Sequence, residues 1–162
     1  MDQNNKDFIR RFYSALQTLD YEKMQEAYHP QAIFTDPIFG TLNATETKAM
    51  WQMLLTRSQD LQVAYSNIHA TQSSGRCRWE AWYTFSKTKR PVHNIIYSSF
   101  EFKDGKIYRQ VDYFSLWRWS RHALGVVGIF LGWSGWIQDE VKQGARDSLK
   151  KFMEKNSSRS EV

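Results

Sequence analysis

The amino-acid sequence predicts an α+β domain: a cone-shaped, curved antiparallel sheet wrapped by N-terminal helices, with further helices at the C-terminal end. Three observations predict it. Apolar residues recur every three or four positions up to Ser58, every second position from Leu61 to Phe114, and every three or four again after Leu116. Short polar turns such as Lys103-Asp104-Gly105-Lys106 and Thr88-Lys89-Arg90-Pro91 separate the alternating segments, as hairpins require. Helices also cluster at the two ends of the chain instead of alternating with strands, which gives α+β and not α/β.

Each element follows in order. Over residues 5–19, Phe8, Phe12, Ala15, Leu16 and Leu19 share one helical face. Asp20 is placed to N-cap a short second helix with Met24, Ala27 and Tyr28 inward, ended by Pro30. Ile33 and Phe34 read as a brief strand before the Asp36-Pro37 break. Residues 44–58 read as a third helix burying Met50, Trp51, Leu54 and Leu55, so three helices precede any long strand. Four strands follow, around Leu61-Val63-Tyr65, Cys77 to Phe85, Val92 to Phe102 and Gln110 to Phe114. From Leu116 to Glu154 the glycines at 125, 128, 132 and 135 predict two helical pieces joined by a bend. Residues 1–118 are thus expected to form the cone, 119–155 a helical extension packed on it or on a partner subunit, and 156–162 a disordered Ser-rich tail.

Composition narrows the function. At 162 residues with 41% apolar content the chain suits one domain with a substantial core, and its 15% aromatic residues, spread from Phe8 to Phe152, suit a core or a cavity lining. The net charge of +5 comes from scattered Lys and Arg with no dense basic stripe, so nucleic acid is not an expected partner. One cysteine, Cys77, leaves no intramolecular disulfide or Cys-rich metal site; with the polar, acidic N-terminal residues it points to a cytoplasmic, not secreted, protein. The four histidines are far apart and no glycine-rich phosphate loop occurs, so neither a metal nor a nucleotide cofactor is expected. The stretch from Ala123 to Trp136 falls short of the roughly 20 residues a membrane span needs. Trp117-Arg118-Trp119-Ser120-Arg121 and the apolar residues after it suit a weak contact with a membrane surface. Trp119, Phe130, Trp133 and Trp136 equally suit closure of a pocket mouth or a dimer contact, and Trp82, Tyr97 and Val111 on the outer strand face suit a homodimer through the sheet.

Two aspartates carry the chemistry. Asp36 sits among Ile33, Phe34, Ile38 and Phe39, and Asp112 sits in Val111-Asp112-Tyr113-Phe114. A carboxylate that loses hydration rises in pKa toward neutrality, and two of them in one dry site divide into an acid and a base. Against this, each Asp can cap a turn or pair with an Arg, and Asp112 can accept hydrogen bonds from Tyr13 or Tyr83 in a purely structural network. Strand parity puts Ala81, Tyr83, Asn94, Ile96, Ser98, Gln110, Asp112 and Phe114 on the concave face. Phe12, with Tyr13 beside it, Leu16, Met24, Phe34, Asp36, Phe39, Trp51 and Leu55 face them from the helical side. That lining fits a flat hydrophobic molecule of about 10 to 20 heavy atoms.

The order helix, helix, Asp-Pro loop, helix, curved sheet resembles the nuclear transport factor 2-like superfamily over Phe8 to Trp117, with its ketosteroid isomerases, SnoaL-type polyketide cyclases and limonene epoxide hydrolases. The resemblance implies a cystatin-like α+β barrel. Thr35-Asp36-Pro37-Ile38-Phe39-Gly40 resembles the isomerases' Asp-Pro-x-Gly segment, one residue longer here, which implies that Asp36 is the general base. At the positions of that family's oxyanion donors stand Phe12, with Tyr13 adjacent, and Ser98. Asp112-Tyr113-Phe114 resembles the Asp-Tyr-Phe segment of the epoxide hydrolases, whose Arg-x-Asp pair is replaced by Trp82 and Thr84. The implied function is a small-molecule pocket with isomerase, cyclase or hydrolase chemistry through Asp36 and Asp112. The alternatives are a non-catalytic binder of hydrophobic ligands and a protein-interaction module whose interior is filled by its own side chains.

Overall fold

Helix α1 (Asp2–Gln17) turns Ile9, Phe12, Tyr13 and Leu16 onto one buried face. Asp20 accepts a hydrogen bond from the Lys23 N–H and caps α2 (Tyr21–Glu26), and Asn43 and Glu46 form a capping box that starts α3 (Ala44–Arg57). The computed structural model describes residues 2–160. Among these, strands β1 (Tyr28–Asp36), β2 (Gly40–Asn43), β3 (Gln62–Ala70), β4 (Ser74–Phe85), β5 (Arg90–Lys103) and β6 (Lys106–Tyr113) form one sheet in the order β2-β1-β6-β5-β4-β3. Helices α4 (Leu116–Leu124), α5 (Val126–Leu131) and α6 (Gly135–Ser160) complete the chain.

The α+β class holds, and α1 and α3 cover the inner face of the sheet against β3 and β1. The sheet itself is open and mixed, because β1 lies parallel to β6 while the other pairs are antiparallel. A nine-residue strand thus precedes α3, where the sequence reads a helix end and a brief strand. Tyr28 belongs to this strand and not to α2, and Pro30 falls where the ladder breaks between Tyr28 and Ile33, so its missing N–H costs no pairing. Leu54 is 39% exposed and Met53 is buried in its place. The reason is α6, which packs along α3 and brings the Ser148 hydroxyl to Met53 Sδ and to Arg57.

The C-terminal region has three helices instead of two. Gly125, at φ 63° and ψ −129°, turns the chain between α4 and α5 in a conformation other residues resist. α5 folds back so closely that a Cβ on Gly128 would lie 1.9 Å from the Ser120 carbonyl oxygen. Gly→Ala ordinarily favours a helix by about 1 kcal/mol, but here the clash dominates. Gly128→Ala is expected to destabilise the protein by about 1–3 kcal/mol, read as a lower urea midpoint; an unchanged midpoint would contradict this packing. Helix α6 continues through the polar residues from Asn156 to Ser160, and residues 161 and 162 of the expected tail lie outside the described residues.

Candidate functional site

The parallel register of β1 and β6 builds the site. Phe34 pairs with Gln110 and Thr35 with Val111, so the next residues, Asp36 and Asp112, are lateral neighbours on strands about 5 Å apart. Phe34, Gln110 and Asp112 are buried, which sets the inward parity of these positions on both strands.

Asp112 is 5% exposed and is the focus of a buried hydrogen-bond network. Its Oδ1 accepts from the Ser98 hydroxyl at 2.6 Å and from Gln110 Nε2 at 2.9 Å. Ser98 Oγ accepts in turn from the Tyr13 hydroxyl at 2.8 Å and Trp79 Nε1 at 2.9 Å. Gln110 Oε1 accepts from the Tyr28 hydroxyl at 2.6 Å, which accepts from Trp51 Nε1 at 2.8 Å. No donor among the described residues reaches Oδ2 of Asp112, and that oxygen is not sealed from solvent. Burial pushes the Asp112 carboxyl up to about 7 against the pull of Ser98 and Gln110, and nearby Asp36 adds to the rise.

Asp36 caps its own turn: Oδ1 accepts the N–H groups of Ile38 at 2.9 Å and Phe39 at 2.5 Å. Burial raises it to about 6 in spite of these bonds, and no side chain among the described residues donates to it. The turn is held from α6, where Arg146 donates to the carbonyls of Phe39 and Thr41, both at 2.8 Å. The C-terminal extension therefore fixes the backbone that orients Asp36.

Tyr83 accepts from Trp119 Nε1 at 2.7 Å, which leaves its own hydroxyl proton free to donate. Burial, with a contribution from Asp36, raises this phenol to about 12. Asn94 is buried with no side-chain hydrogen bond among the described residues. Phe12, Tyr13, Leu16, Met24, Phe34, Phe39, Trp51, Ile96, Ser98 and Phe114 are all buried as the periodicity predicts. Of the expected Asp112 partners, Tyr13 acts through Ser98, while Tyr83 is engaged with Trp119 instead. The sequence reading turns Tyr28 inward but on a helix, and leaves Trp79 out of the site, although β4 parity puts Trp79 on the same buried face as Ala81. Trp119 is buried beside Tyr83, whereas Phe130, Trp133 and Trp136 stand out from the surface among the described residues.

Aromatic rings meet in the core: Phe12 packs edge-on against Tyr13, Tyr28, Trp51 and Phe100 at centroid distances of 5.3 to 6.2 Å. An open groove of about 560 Å³ lies by Trp82, His93 and His122, and another of about 730 Å³ runs between α6 and Leu42; neither contains Asp36 or Asp112. Among the described residues no group of three or more His, Cys, Asp or Glu could hold a metal ion, and no helix is long and apolar enough to cross a membrane.

This inward-facing arrangement on an open, mixed sheet coincides with a known family, since the model of the SnoaL-like domain matches residues 9–110. The chain belongs to the SnoaL-like domain family. Solved structures agree on the fold. An epoxide hydrolase of the LEH-like kind from M. tuberculosis superimposes with a TM-score of 0.65 at 18% identity, covering 76% of this chain and 91% of that one. IdmH of Streptomyces antibioticus, a candidate polyketide cyclase, gives 0.62 at 20% identity over 74% and 97%. A candidate SnoaL-like polyketide cyclase from Jannaschia gives 0.67 at 10% identity over 77% and 94%. At these identities the likeness shows the SnoaL-like fold alone. No curated protein matches the sequence.

Proposed function

We propose that this SnoaL-like domain takes up a small lipophilic molecule between sheet and helices and transfers protons on it, with Asp36 as base and Asp112 as acid. One observation carries the reading: neighbouring strand positions hold two carboxyls tuned by burial to about 6 and about 7, and Asp112 Oδ2 is unengaged. Between about pH 6 and pH 7 Asp36 is mostly ionised and Asp112 mostly protonated, the division that acid-base transfer on one substrate uses. The free Tyr83 hydroxyl proton supports a further donor to an oxygen of the substrate. The lining supports an enone, an epoxide or a polyketide-like aromatic, and so an isomerase, hydrolase or cyclase reaction.

A second reading has its own support. The rings of Phe12, Tyr28, Trp51 and Phe100 meet in the core, as expected of an interaction module or of a binder that opens only around its ligand. The exposed Trp82, Tyr97, Val111 and Tyr113 on the outer sheet face support a homodimer through the sheet. The free thiol of Cys77 is consistent with a reducing, cytoplasmic setting.

The test is a panel of lipophilic enones, epoxides and polyketide-like aromatics, followed by thermal shift and by product formation. Turnover by the wild type that is lost in Asp36→Asn and Asp112→Asn is expected. Stabilisation by a ligand with no product from any variant would favour the binder, and neither effect would favour the interaction module.

A further inference from the structure

The end of the molecule built from α4, α5, the start of α6 and the β4–β5 turn presents apolar side chains that stay exposed among the described residues. Phe130 is 68% exposed, Trp133 70% and Trp136 69%, with Val126 and Ile129 beside them. Large apolar side chains this exposed and this close in sequence mark a docking surface and not ordinary surface scatter. Gly128 brings α5 against the α4 backbone at Ser120, and Gly132 lies against the Ser120 side chain.

The charge around this surface identifies its occupant. The β4–β5 turn reaches the hairpin, with Thr88 Oγ1 donating to the Ala123 carbonyl and Arg90 Nε to the His122 carbonyl at 3.1 Å. Between Ala81 and Phe100, and again between Tyr113 and Gln138, the sequence has no Asp or Glu, yet it carries Lys87, Lys89, Arg90, Arg118 and Arg121. These five account for the whole formal charge of +5, because the other seventeen basic residues balance seventeen acidic ones. All five are exposed, and among the described residues none lies within ion-pair distance of a carboxylate. Arg121 stacks on Trp117, with its guanidinium carbon 4.6 Å from the ring centroid, the pairing of cation and indole that suits a headgroup layer. Exposed Trp and Phe on an end of the domain whose cations, on α4 and the adjoining β4–β5 turn, have no carboxylate partner among the described residues match an anionic lipid interface, where the rings enter the acyl boundary and the cations meet the headgroups.

We propose that this end of the domain docks on the surface of an anionic bilayer as a peripheral contact. No segment inserts across it. The purified full chain is sedimented with phosphatidylglycerol-containing vesicles and with pure phosphatidylcholine vesicles, and wild-type tryptophan fluorescence is followed with brominated lipid of each kind. Sedimentation with the anionic vesicles, weakening as salt is raised, is expected, together with quenching. Arg118→Gln with Arg121→Gln should weaken partitioning about 25-fold, at about fivefold per cation. Phe130→Ser with Trp133→Ser should abolish it while the thermal melt stays cooperative. Absence of both sedimentation and quenching with anionic vesicles would overturn the proposal. So would a wild-type oligomer, seen without lipid, that the Phe130→Ser, Trp133→Ser variant converts to monomer, because the surface would then belong to a second copy.

Discussion

Asp112→Asn is expected to lower turnover about 10²–10⁴-fold, the usual worth of a positioned proton donor, while the fold stays intact. The substitution suits the network: Oδ1 takes both incoming hydrogen bonds, from Ser98 and Gln110, and an asparagine oxygen accepts them equally well. The new amide then occupies the side that no described donor reaches. With Asp36 as the proposed base and Asp112 as the proposed acid, the first ionised and the second protonated, kcat/KM should follow a bell with its maximum between about 6 and about 7. The same substitution has a stability signature. A carboxyl raised from 3.8 to about 7 by burial adds stability that is fully present below its unfolded pKa and is lost as pH rises through about 7. Asp20, Asp60 and Glu80, held low by hydrogen bonds from Lys23, Thr84 and Arg78, act in the opposite sense and lose stability as pH falls. The difference between wild type and Asp112→Asn isolates Asp112. Relative to the variant, the wild type should lose on the order of a few kcal/mol between pH 4 and 8, measured by urea unfolding at each pH. A difference that stays constant with pH would show that Asp112 is not raised.

Ser98→Ala should be the most damaging single-atom change in the protein. Ser98 Oγ accepts from two buried donors, Tyr13 and Trp79, and donates to Asp112, so its loss orphans both donors at once. Each unsatisfied donor costs about 1–3 kcal/mol, a large share of the 5–15 kcal/mol that usually holds a domain together. Tyr13→Phe is the control, since it removes one donor and leaves Ser98 still accepting from Trp79, and it should cost only about 1 kcal/mol. Ser98→Ala should also move the Asp112 midpoint further up, because the Ser98 hydroxyl favours the ionised form. Equal losses in the two variants would contradict the shared-acceptor role of Ser98.

What the sequence discloses depends on where each residue's partners lie. Ser98, Gln110 and Asp112 are legible because β5 and β6 alternate strictly beyond the bulge at Glu101/Phe102, over Tyr97–Glu101 and Arg109–Tyr113, so period-two parity places all three inside. β1 is not legible, because its ladder breaks over Pro30 and Gln31 and its parallel partner is β6, far along the chain. The lateral pairing of Asp36 with Asp112 is therefore a product of tertiary structure, although the family resemblance of the Asp-Pro segment marks Asp36 in advance. Asp36 also shows that two competing readings can hold together: it caps a turn and still carries a burial-raised carboxyl. Met53 and Arg146 depend on α6 docking against α3 and the Asp36 turn, contacts about a hundred residues apart in sequence that no local pattern announces.

Proton exchange near neutrality by the neighbouring carboxyls of Asp36 and Asp112 is the core of the proposed function. The most direct test is a carboxyl ¹³C NMR titration of the wild type, assigned with Asp36→Asn and Asp112→Asn. Two midpoints near 6 and 7, each shifting when the other residue is replaced, are predicted. Two independent midpoints near 4, the ordinary aspartate value, would contradict the account and leave Asp36 a turn cap and Asp112 a structural acceptor.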